Sequence, residues 1–206
     1  MNKKTPGRAK PSDISSEEKI KIAAKKVFTR KGYAGTRTRD ISDEAGMNLA
    51  LLNYYYRSKE KLFQIVMEEK LQLLFGVISP IIMDETSSLE EKIEKLAAEY
   101  LEMLLANPDL PLFVLSEIRQ HPEKFKKKMK LEKLIRNSAL VSQLRQRRPD
   151  LNPMHFLMNI LALAVFPFIA RPILFSASAQ NQGSFGTIIE ERKGLIPKWV
   201  KAMLKA

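Results

Sequence analysis

The turn Ala45-Gly46-Met47 constrains this chain more than any other feature. It separates two segments of helical spacing, residues 38–45 and 48 to about 55. Each is too short to stand as an isolated helix, because helices under about a dozen residues are marginal in water. In the first, Ile41 and Ala45 point inward; Gly46 breaks it; Asn48 is placed to cap the second. Two short helices joined by a tight glycine-containing turn have helix-turn-helix geometry. In that geometry the second helix would enter a DNA major groove while the first would cross the backbone.

The flanks complete a small core. Ser15 and Glu18 have the spacing of a capping box ahead of Ile20, Ala23, Ala24, Val27 and Phe28, and Gly32 ends that helix. Ser58 caps a fourth helix with Glu60 near its positive end. Its apolar face is Leu62, Val66, Met67, Leu71 and Leu74. Charge concentrates at the same end: residues 1–60 hold 14 Lys+Arg against 7 Asp+Glu, more than half of the net +12. An excess of this kind points to nucleic acid or an anionic membrane surface. Residues 1–14, with Lys3, Lys4, Arg8 and Lys10, are expected to be a disordered basic arm.

The rest of the chain is helical by pattern. A break is expected at Pro80 and Asp84–Ser88. Helices follow over 88–106, with Leu89, Ile93, Leu96, Ala97, Tyr100, Leu101 and Leu104 on one stripe, and over 109–120. A basic run over 123–148, a very apolar helix over 152–175 starting at Pro153, a polar loop over 176–187 and a last helix over 188–205 complete the chain. No strand pattern or internal repeat interrupts this. The expected class is all-α, with a DNA-binding domain over 15–60 and a second helical domain over 61–206. The segment 156–175 is apolar enough to raise a membrane span, but Asn159, Pro167, Arg171 and Pro172 lie within it. A buried interface helix kinked near Pro167, paired with the helix of Trp199 in an isologous dimer, is the better reading.

Gly32-Tyr33, Thr36, Arg39-Asp40-Ile41, Ala45-Gly46-Met47-Asn48, Tyr54-Tyr55-Tyr56, Ser58-Lys59 and Leu62 together resemble the DNA-binding domain of tetracycline-repressor-type (TetR/AcrR) regulators. Asn53 and Leu49 depart from residues common in that family. The resemblance implies a repressor of transcription that binds a near-palindromic DNA operator as a homodimer and is released by an unknown small-molecule effector. It implies that Thr38 bonds a phosphate and that Arg39 reaches a base or a phosphate. Asn48, Leu49 and Ala50 would face the groove edges, Leu49 and Ala50 offering apolar contact to a thymine methyl, and Asn53 pairing with adenine. Tyr54, Tyr55 and Lys59 would hold phosphates. Tyr56, with Leu52 and Met47, would face the core, its hydroxyl needing a partner. Tyr100, Met103, Phe113, His121, Phe125 and Phe166 are the candidate lining of an effector pocket in the second domain.

Other classes have thinner support. There are no cysteines, and the two histidines, His121 and His155, are far apart. No phosphate loop, nucleophile elbow or metalloprotease motif occurs, so no enzyme, metal or cofactor is expected. The basic, polar N-terminus has no secretory pattern, and a cytoplasmic location without membrane attachment is expected. The alternative to a DNA-binding regulator is a basic helical scaffold or membrane-surface protein, built on 124–148 and 156–175.

Overall fold

The computed structural model describes residues 14–123, 131–175 and 179–205. The expected basic arm lies outside these residues except for Ile14, as do Phe125 and part of the basic run. Every regular element among the described residues is a helix, as the sequence pattern requires. The chain divides into two compact units at Val66–Met67, within one helix.

The first unit holds α1 (Ser16–Gly35), α2 (Thr38–Ala45), α3 (Leu49–Tyr56) and the start of α4 (Lys59–Met83). Each start has its own cap. Ser15 Oγ accepts from the Glu18 amide at 3.2 Å, while the Glu18 carboxylate turns to Lys21 at 2.7 Å. The Arg37 amide donates to Asp40 Oδ2 at 2.8 Å, the Leu51 amide to Asn48 Oδ1 at 2.8 Å, and the Lys61 amide to Ser58 Oγ at 3.1 Å. Two glycines supply what a side chain resists. Gly46 is left-handed (φ 64°, ψ 33°), and the Met47 amide closes back on Ser42 O at 2.9 Å. Gly32 (φ 68°, ψ 175°) bends the chain near the end of α1, and Thr36 Oγ1 donates to its carbonyl at 2.7 Å. The core beneath is Ile20, Ala24, Val27, Phe28, Ile41, Leu52, Tyr56, Leu62 and Val66. Phe28 meets Phe63 edge to face at 4.9 Å.

The second unit contains α5 (Leu89–Lys95), a π-helical turn (Leu96–Tyr100), α6 (Leu101–Ala106) and α7 (Leu110–Gln120). It continues with α8 (Leu131–Arg136), α9 (Ala139–Arg147), α10 (Pro153–Leu174) and α11 (Ala179–Met203). α11 packs on α5, the π turn, α6 and α10; α10 also packs on α7 and α9. The N-terminus of α5 is fixed by a buried lysine. Lys92 Nζ donates to Ser87 O at 2.5 Å and Ser87 Oγ at 3.0 Å, and Gln143 Nε2 of α9 donates to the same carbonyl at 2.8 Å.

Three expected boundaries move. α4 runs through Pro80 to Met83, because a proline in the last turn forfeits only one helical bond. The basic run is broken before Ser138, whose buried hydroxyl donates to Ile135 O at 2.8 Å and accepts from the Val141 amide at 3.3 Å, starting α9 anew. The last helix begins at Ala179, not 188. Phe185 is buried edge to face against Phe168 (5.3 Å) and Phe175 (5.2 Å), with the Arg171 guanidinium over its ring at 4.8 Å. That apolar anchor draws a polar stretch into helix.

α10 is long and apolar enough to cross a membrane, yet one side of it is packed. Phe156, Ala164, Val165, Phe168 and Ala170 are buried. Met158, Ala162, Phe166, Ile169 and Ile173, at steps of three and four, face outward, with Phe166 61% and Ile173 87% exposed.

Candidate nucleic-acid interface

The outward face of α3 follows from helical geometry. At about 100° per residue, Leu49, Ala50, Asn53 and Tyr54 fall within an arc of about 140°; Leu52 lies outside that arc, and Tyr56 stands about 160° from Tyr54, at the edge next to Leu49. The structure has this division: Leu49, Ala50, Asn53 and Tyr54 are exposed, Leu52 and Tyr56 buried, and Tyr55 half-buried between them. The three tyrosines therefore occupy three environments. Tyr54 is 77% exposed and stands edge-on to Tyr55 at 5.2 Å and 80°. Tyr56 is in the core, and its hydroxyl donates to Glu17 O of α1 at 3.0 Å, the partner a buried phenol requires. Met47, expected inward, is only partly covered.

α2 is held by ion pairs to α1. Asp40 meets Lys31 at 3.0 Å; Glu44 meets Lys26 at 2.6 Å and Arg30 at 3.7 Å. The Arg37 amide and the Lys31 ammonium hold the Asp40 carboxyl below the usual carboxylate range, and Lys26 does the same for Glu44. Because their folded pKa values are depressed, these pairs help the fold above the ordinary carboxylate pKa. That help is lost as pH falls through the lowered values. The pairing consumes cations of α1 and leaves Arg37 and Arg39 exposed at the start of α2, beside a half-buried Thr38. Arg57, which ends α3 with a positive φ of 58°, is exposed as well. Arg37 and Arg57 were not singled out in the sequence. Their position beside a cap and a helix end was visible there, but their freedom from the ion pairs was not.

Two expected site residues stand differently. Lys59 is turned inward: Nζ donates to Tyr33 O at 3.0 Å and Thr36 O at 2.9 Å, and lies over the Tyr33 ring at 4.2 Å. Two of its three N–H groups thus tie the start of α4 to the turn before α2. Asn48 spends its amide oxygen on the α3 cap. Among the expected pocket residues of the second unit, Tyr100, Met103 and Phe113 are buried and His121 is half-buried. Burial pushes the Tyr100 hydroxyl well above the ordinary phenol pKa. Phe166 does not line an interior, because the outward stripe of α10 claims it; Phe125 lies outside the described residues.

A glycine turn joining two eight-residue helices, the second with a solvent-facing side unclaimed by the core, defines a helix-turn-helix DNA-binding protein. Residues 22–66 match the family model for bacterial regulatory proteins of the tetR family. The chain is similar to the Probable HTH-type transcriptional regulator YttP of Bacillus subtilis, 24% identical over 162 residues, spanning 76% of this chain and 78% of that protein. It is similar also to the HTH-type transcriptional repressor NicS of Pseudomonas putida, 29% identical over 117 residues, 57% of this chain and 54% of NicS. In fold it matches a TetR-like transcriptional regulator from Rhodococcus sp. RHA1 with a TM-score of 0.60 and 16% identity, over 93% of this chain and 96% of that one. Residues 22–66 are a DNA-binding domain of the tetR-family type, and the chain is a transcriptional regulator that binds DNA.

Proposed function

We propose that this regulator is a cytoplasmic repressor, without enzymatic activity, that binds a near-palindromic operator as a homodimer and leaves it when a small molecule occupies the second unit. The observation that carries the DNA part is the outward face of α3, Leu49, Ala50, Asn53 and Tyr54, which no core contact uses. Thr38, Arg39 and the hydroxyls of Tyr54 and Tyr55 supply phosphate partners around it, and the exposed Arg37 and Arg57 add charge. The dimer part rests on the apolar stripe Met158–Ala162–Phe166–Ile169–Ile173 of α10. An isologous contact covers the same patch on both copies. One side of α10 is already packed on protein, which supports a protein contact for this stripe over a bilayer. Two recognition helices then read successive major grooves about 34 Å apart. An effector weakens binding only to the extent that it prefers the other state.

The test is footprinting of the DNA upstream of the chain's gene, with and without candidate effectors, beside a solution mass. A bounded footprint, lost in Tyr55→Ala with the fold intact, and a dimer mass are expected. Uniform coverage of any duplex, or a monomer at micromolar concentration, would overturn the proposal.

A further inference from the structure

The eight residues of α3, Leu49–Tyr56, include no Arg, Lys, His, Asp or Glu. Resting on the DNA reading above, we propose that the base pairs beneath α3 are A·T pairs, recognised by Leu49 and Ala50 on thymine methyls and by Asn53 on adenine.

The argument is one of matching edges. In the major groove, guanine offers two acceptors, O6 and N7, which take a forked Arg or a Lys; cytosine offers an N4 donor, which takes a carboxylate. α3 holds neither kind of group. Thymine offers a C5 methyl and adenine an N7 acceptor beside an N6 donor, which an amide matches with two bonds. α3 presents to solvent two aliphatic side chains and one free amide, all on the same side of the helix. Asn53 keeps its side chain unengaged, since its only described hydrogen bond beyond the helix is its backbone carbonyl accepting from the Arg57 amide at 2.9 Å. Asn48 has lost the acceptor that a bidentate amide–adenine pair needs. Its oxygen accepts from the Leu51 amide at 2.8 Å, and the remaining NH₂ group, a donor only, meets guanine O6 or N7, adenine N7 or thymine O4 and so does not by itself choose between the pairs. Tyr54 ends in a hydroxyl, which serves either kind of pair or a phosphate. Four residues of helix rise about 6 Å, so Leu49 to Asn53 spans about two to three base pairs. Arg37, Arg39 and Arg57 lie outside α3, on the segments before α2, in α2 and after α3.

The experiment is selection from a random duplex library with the full chain at fixed salt, repeated for Leu49→Ala and Asn53→Ala. Both residues are exposed, so both variants retain the fold. Base positions whose preference relaxes in either variant are those beneath α3. They are expected to be A·T, with substitution by G·C weakening binding roughly ten- to hundredfold. Replacing the contacted thymine with deoxyuridine, which removes only the methyl, should weaken wild-type binding about fourfold, the equivalent of one buried methylene. At a thymine whose preference relaxes in Leu49→Ala, the same replacement should leave that variant indifferent. Relaxation at G·C positions, or deoxyuridine without effect at every relaxed position, overturns the A·T assignment while leaving the regulator reading intact. Failure to enrich any motif removes the DNA reading and this inference with it.

Discussion

Pro167 leaves a debt inside α10 that a residue of α11 settles. A proline has no N–H, so the carbonyl four residues earlier, Leu163 O, has no donor from its own helix. Arg192 of α11 supplies one: Nη2 donates to Leu163 O at 2.7 Å, while its guanidinium lies over the Trp199 ring at 5.2 Å. Burial lowers the Arg192 pKa, so part of the gain is offset by lost hydration. A hydrogen bond from a charged donor contributes about 1.5–3 kcal/mol and a cation–π contact about 0.5–1 kcal/mol. After the hydration loss, Arg192→Met, which keeps the apolar stem, should cost about 2 kcal/mol. In a Pro167→Ala background the new amide of residue 167 reaches Leu163 O, and the same change should cost only about 1 kcal/mol, because the carbonyl is no longer orphaned. A double-mutant cycle in urea measures this, at fixed protein concentration so that any association contributes equally to every variant. Trp199 is the one tryptophan, so fluorescence reports the second unit directly. A cost of Arg192→Met equal in both backgrounds to within about 0.5 kcal/mol would refute the reasoning.

Two further outcomes are expected. Lys59→Met should weaken DNA binding and lower the melting temperature of the first unit, but leave the slope of log affinity against log salt unchanged, because its ammonium serves Tyr33 O and Thr36 O; a slope shallower by about one with unaltered melting would instead make Lys59 a phosphate contact. Gly32→Ala should destabilise more than Gly46→Ala, by about 2–3 against about 1–2 kcal/mol. An added Cβ meets nothing within 4 Å at either site, so the backbone alone decides, and φ 68°, ψ 175° is open to little but glycine; equal losses in thermal melts would contradict this.

What the sequence by itself determined is local. Caps at Ser15, Asn48 and Ser58, the break at Gly46 and the helical spacing of apolar residues act over three or four positions, so they can be read without the fold. The same reach separates Tyr56 from Tyr54 on α3, since 100° per residue sets which ring faces the core. Only the tertiary structure decided partners distant in the chain. Lys59 reads as a free cation until Tyr33 and Thr36 are brought to it across 26 and 23 residues. Phe166 and Phe168 are alike in composition, yet one faces outward and the other meets Phe185, which also pulls α11 back to Ala179. The basic run breaks before Ser138 because its hydroxyl caps α9 from a buried position. Local propensity sets where helices can begin and end; competition among distant donors and rings sets which of their side chains remain free at the surface.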